Sequence, residues 1–155
     1  MTAKAERRQS GRAPKERRHR AREATLQMLY QWEVGRLSML EVKQTFWTHS
    51  VDAVEPLPDA LRGFAMTLAE GVAAHVDELD PMIAEAAEHW RIERMNVMDR
   101  LVLRLAVYEF LYERGTPGKV IINEALELAR TYSADDSVRF INGILDAVRR
   151  RLERE

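Results

Sequence analysis

Apolar residues recur at steps of three and four along most of the 155-residue chain, the spacing of helices that bury one face. Ala21, Thr25, Met28, Leu29 and Trp32 share one side of a first helix, and Gly35 marks its end. Ser38, with Glu41 three positions on, forms a capping box for a shorter helix through Leu40, Val42, Phe46 and Trp47. Pro56 and Pro58 interrupt the pattern before Leu61, Phe64, Ala65, Leu68, Val72 and Val76 resume it. Gly63 and Gly71 in that stretch lower helix propensity but suit a close helix contact. Asp80-Pro81 fits the start of another short helix, because proline is tolerated in a first turn.

A break follows around Trp90 and Asn96. Met98, Leu101, Val102, Leu105, Tyr108 and Tyr112 then mark a central packing helix that finishes near Gly115-Thr116-Pro117-Gly118. Val120 to Tyr132 is predicted helical. The polar joint Ser133 to Ser137 supplies hydroxyls and carboxylates to cap a last helix carrying Phe140, Ile141, Ile144, Leu145, Val148 and Leu152. No alternating strand series is evident. The expectation is an all-α fold of about seven helices in two tightly packed bundles: a flexible basic arm over 1–17, an N-terminal bundle over 18–78 and a C-terminal bundle over 79–155.

Composition narrows the function. With 46% hydrophobic residues the chain can bury a core, and without cysteine it can build neither a disulfide nor a thiolate metal site. No apolar run is long enough to suggest a membrane span, so no membrane partner is expected. The net charge of -1 conceals an asymmetry: residues 1–22 hold nine basic side chains against Glu6 and Glu16, while the remainder holds fifteen basic and twenty-three acidic ones.

Arginine combines charge with a planar donor array suited to phosphate, so Arg7, Arg8, Arg17, Arg18, Arg20 and Arg22 are candidate nucleic-acid contacts, against the plainer reading of a solubilising tail. Charge alone reads no base. Reading one needs stacking or hydrogen bonds from the folded body, and Tyr132 and Phe140 flank the polar joint, although Phe140 also fits the core period of its helix. His19, His49, His75 and His89 are scattered, Glu85 to His89 lacks the second histidine of a zinc motif, and no glycine-rich phosphate loop is present. No catalytic residue, metal site or cofactor is expected.

Ordered blocks make the picture more specific. Arg20-Ala21-Arg22-Glu23-Ala24, Leu26 to Tyr30 and Glu33 are followed by Asp99-Arg100, Leu103-Arg104, Ala106 to Glu109, Ile122 to Ala125, Glu127 to Ala129, and Ser137-x-x-Phe140-x-Asn142-Gly143-x-Leu145-Asp146. In these blocks the chain resembles the NusB family of bacterial transcription antitermination factors over roughly residues 17–150. Ser133 stands where a glycine often follows the aromatic residue in such proteins. The resemblance implies a non-enzymatic, cytoplasmic adaptor that binds boxA-type single-stranded RNA with the ribosomal protein NusE in a transcription elongation complex. It nominates Arg20, Arg22, Asp136, Arg139 and Phe140 for RNA, and Asp99, Arg104 and Glu109 for the NusE-facing surface. Asn123 and Asn142 are expected to satisfy internal hydrogen bonds. A homodimer is a candidate assembly. The competing readings are a protein-only dimeric adaptor and an accessory domain related to RNA methyltransferases.

Overall fold

The computed structural model describes the backbone of residues 3–49, 56–88 and 90–155, and the side chains of 15–48, 56–88 and 90–155. Within them lie seven α-helices: α1 (Ala3–Glu33), α2 (Met39–His49), α3 (Asp59–Ala74), α4 (Val76–Ala86), α5 (Val97–Tyr112), α6 (Gly118–Tyr132) and α7 (Asp135–Arg151). One 3₁₀ turn spans Ile92–Arg94.

Local chemistry sets most boundaries. The Glu41 amide donates to Ser38 Oγ at 3.1 Å, the N-cap bond expected there. Asn96 caps α5 by accepting from the Met98 amide at 2.9 Å. After α1 the left-handed residue is Arg36 (φ 54°), and Gly35 is needed for space, since a Cβ there would lie 2.5 Å from the Gln31 carbonyl oxygen.

Three boundaries differ from expectation. Helix α1 reaches back to Ala3, through the segment expected to order only near Arg17. A missing apolar period removes the buried face but not the intrinsic propensity of Ala, Glu, Lys and Arg for helix. Pro81 lies inside α4 and does not start it. The chain breaks at His75 (φ -116°, ψ 16°), whose ring Nδ1 is 2.7 Å from the Gly71 carbonyl oxygen, and α4 begins at once with Asp77 and Glu78 in its first turn, where the helix dipole favours them. The hydroxyls of the Ser133 to Ser137 joint do not cap α7. Its N-cap residue is Ala134, with no side-chain bond.

The helices pack as α1, α2 and α3 on one side and α4, α6 and α7 on the other, with α5 against α1, α3, α4, α6 and α7. Every residue from Leu101 to Phe110 is buried, so α5 is enclosed around its whole circumference. Its neighbours must approach closely. A Cβ at Gly71 of α3 would lie 2.1 Å from Tyr108 Cζ, whereas Gly63 has no such neighbour. At the end of α5, the buried guanidinium of Arg154 donates to the carbonyl of Phe110 (2.8 Å) in its last turn and to those of Glu113 (3.2 Å) and Thr116 (2.9 Å) in the turn that follows.

Candidate nucleic-acid interface

Burial sorts the nominated charges into two groups. Lys15, Arg17 and Arg18 on α1 are exposed and Arg20 is partly exposed. Between α1 and α6 lies a groove of about 780 Å³ lined in part by Lys15, His19, Arg20, Asn123 and Arg130. His19 anchors this end of α1: its Nδ1 is 2.8 Å from Glu124 Oε2 on α6, and its Nε2 is 3.6 Å from Glu23. The side chains of Arg7 and Arg8 lie outside the described residues.

Arg22 belongs to the interior. It is 3% exposed and fastens α1 to α5 through Glu109, with Nε 3.1 Å from both carboxylate oxygens and Nη2 2.7 Å from Oε1. Its guanidinium also lies 5.7 Å from the centre of the Phe64 ring. Burial raises the Glu109 carboxyl above the usual carboxylate range, with Arg22 opposing that shift. Arg22, nominated for RNA, is thus engaged in the chain without RNA by the contact between α1 and α5.

The residues nominated to face NusE are enclosed too. Glu109 is 2% exposed. Arg104 donates from Nε and Nη2 to the two oxygens of Asp80, each at 2.8 Å, and approaches Glu33 at 3.4 Å. Asp99 receives hydrogen bonds from Ser133 and, at 2.8 Å, from Ser137. The family blocks on α5 thus carry the charges that join α5 to its neighbours. Ser133 is extended (φ -132°), a conformation that does not call for glycine, and its hydroxyl serves the Asp99 carboxylate.

The α6–α7 joint meets α1 through Tyr132. Its hydroxyl donates to Glu23 Oε2 at 2.8 Å and accepts from Gln27 Nε2 at 3.2 Å. Burial and the bond to Glu23 push its ionisation up to about 12. Asp136 in the joint and Arg139 just after it are exposed at the start of α7. Phe140 reconciles its two readings: it packs against the core and also lines a surface hollow with Asp136. Asn123 and Asn142 are exposed, against the expectation of internal bonds.

A further aromatic, Trp90, lies beside this hollow. Trp90 is 59% exposed, with its ring centre 5.7 Å from that of Phe140 in an edge-on arrangement. The available signal was a tryptophan outside any apolar period, in a polar break beside Arg91 and Arg94.

These features define a class: a small helical bundle with a basic helix end beside α6 and an aromatic hollow at the polar α6–α7 joint. A model described as the NusB family matches residues 19–150. The transcription antitermination protein NusB of Koribacter versatilis is 44% identical over 138 residues, covering 89% of this chain and 92% of that protein. That of Myxococcus xanthus is 40% identical over 131 residues, covering 84% and 93%. Among solved structures, T. maritima NusB superimposes with a TM-score of 0.75 at 32% identity, covering 86% of this chain and 90% of the other. A structure of antitermination factors NusB and NusE in complex with dsRNA shares the fold at 22% identity, with a TM-score of 0.75 and coverage of 88% and 98%. The chain belongs to the NusB family of transcription antitermination proteins. Like its family it is a non-enzymatic adaptor. No described helix is long and apolar enough to cross a membrane.

Proposed function

We propose that this chain binds boxA-type single-stranded RNA jointly with the ribosomal protein NusE, in the cytoplasm, as part of a transcription elongation complex. The observation that carries the reading is that one helix bears both the exposed Lys15, Arg17 and Arg18 and, further along, Glu23, which Tyr132 ties to the α6–α7 joint where Asp136, Arg139 and Phe140 follow. The cations attract phosphate without reading sequence, and the joint offers aromatic and hydrogen-bonding groups to unpaired bases. Arg20 and the arm residues Arg7 and Arg8 extend the same basic run. The structural neighbour solved with NusE and dsRNA supports the partner classes.

Because Asp99, Arg104 and Glu109 are enclosed, contact with NusE falls in this reading to exposed side chains. The α1–α2 corner leaves Tyr30, Val34, Leu37 and Leu40 exposed, with Leu40 at 62%, and such an apolar group suits a protein partner.

The test is RNA affinity at several salt concentrations for the intact chain and for Arg17→Gln/Arg18→Gln. The variant should bind more weakly, and its log-log salt slope should become shallower by about 0.7 for each lost phosphate contact. Thermal stability should not change, since both side chains are exposed. An unchanged slope would place the phosphate grip elsewhere.

A further inference from the structure

Trp90 is held out of the core by its own loop. Glu88 adopts a left-handed backbone (φ 44°), and the Trp90 amide donates to the Ala87 carbonyl at 3.1 Å, closing the turn that leaves the indole exposed. The other two tryptophans, Trp32 and Trp47, pack against the hydrophobic core. A large apolar ring left 59% exposed forgoes burial that its two counterparts obtain, which points to a surface that is covered in use.

What surrounds the indole indicates the occupant. Trp90, Phe140, Met95, Arg94, Asn96 and Asp136 line a hollow of about 320 Å³, at the small end of ligand pockets and suited to one flat ring system. The Phe140 ring meets Trp90 at 70° between planes, and Trp90 is the more exposed of the two. Asn96 uses Oδ1 to cap α5, which leaves its amide hydrogens to donate. Asp136 is exposed and can accept hydrogen bonds, whereas the Asp99 carboxylate, which also lines the hollow, is already engaged by Ser133 and Ser137. Arg94 lines the hollow, Arg91 lies in an adjoining depression that Trp90 also lines, and Arg139 precedes Phe140 on α7. All three are exposed and form no ion pair among the described residues, so they supply positive charge to this part of the surface.

We propose that this hollow is a single-nucleotide pocket, in which one unpaired RNA base stacks on Trp90 and is held at its edge by the Asn96 amide and the Asp136 carboxylate. This inference rests on the RNA-binding reading above and adds to it the residue that carries the stacking. A flat ring, a donor, an acceptor and surrounding guanidinium groups match a nucleotide better than an aliphatic side chain of a protein partner, which would leave the polar pair unused.

The experiment measures single-stranded boxA-type RNA binding to the full chain with NusE, for wild type, Trp90→Ala, Trp90→Phe and Arg17→Gln/Arg18→Gln, at several salt concentrations, with tryptophan emission followed in parallel. Base stacking should quench emission in the wild type and much less in Trp90→Phe. Trp90→Ala should lose affinity by roughly five- to a hundredfold with an unchanged salt slope, since stacking releases no counterions. Trp90→Phe should retain most of the affinity, and Asp136→Asn should alter the preference among oligonucleotides that differ at one base. Wild-type affinity in a folded Trp90→Ala variant would overturn the pocket. If the arginine variant still showed the shallower salt slope, the broader RNA reading would survive that result. Loss of NusE capture by Trp90→Ala without any loss of RNA binding would assign the hollow to protein contact instead, and absence of RNA binding by the wild type would overturn both readings.

Discussion

Arg22 of α1 and Glu109 of α5 meet as a two-point ion pair, with Nη2 2.7 Å from Oε1 and neither residue more than 3% exposed. Removing one partner leaves the other charge buried without compensation. Arg22→Ala or Glu109→Ala should therefore cost about 3 to 5 kcal/mol of stability in urea denaturation. The paired replacement Arg22→Met/Glu109→Leu should recover most of that loss. A stable Arg22→Ala protein with weakened RNA binding would return Arg22 to the interface.

Two glycines of α3 should respond to alanine with opposite signs. At Gly71 the added carbon meets the Tyr108 ring, which must shift within a packed core, so Gly71→Ala should destabilise by about 1 to 3 kcal/mol. At Gly63 nothing lies within 4 Å, and the substitution should stabilise by up to about 1 kcal/mol through helix propensity. Thermal denaturation of the two single variants checks both signs.

Tyr132 links α1 to the joint and should make that link sensitive to alkali. Its phenol ionises at about 12 in the folded chain, above the ordinary value of 10.0. The folded state therefore holds the proton more tightly, and the associated stability is fully present below the unfolded value and falls as pH rises from there through about 12. An ultraviolet absorbance titration should show a late phenolate transition that loses one tyrosine's amplitude in Tyr132→Phe, with Tyr108 and Tyr112 also held above the ordinary value. A Tyr132→Phe profile identical to wild type would contradict the assignment.

The fold was legible because its signals are local and repeated. The capping pair Ser38 and Glu41, the break at Asn96 and the apolar steps of the last helix each correspond to an observed element. The start of α4 was not legible, because the chain breaks at His75 without glycine or proline, while Pro81 offers a start signal that the helix absorbs into its interior. At the site, Arg20 and Arg22 look alike in an arginine-rich run but point to different sides of α1, since residues two apart do not share a helix face. Arg22 lies four and seven positions before the fully buried Leu26 and Leu29, and that spacing could have marked it as an inward charge. The charges of Asp99, Arg104 and Glu109 were visible in the sequence, but their enclosure depends on the five helices that surround α5.

Partner-assisted recognition of a particular RNA requires a surface that the arginine run alone does not specify. It is tested most directly by titrating the full chain with boxA-type and scrambled single-stranded RNAs of equal length, with and without NusE, at one fixed salt concentration. The expected result is similar weak binding of both RNAs by the chain alone, where phosphate contacts dominate, and a preference for the boxA-type RNA that emerges or grows when NusE is added. Equal affinity for the two RNAs in the presence of NusE would rule out partner-assisted recognition.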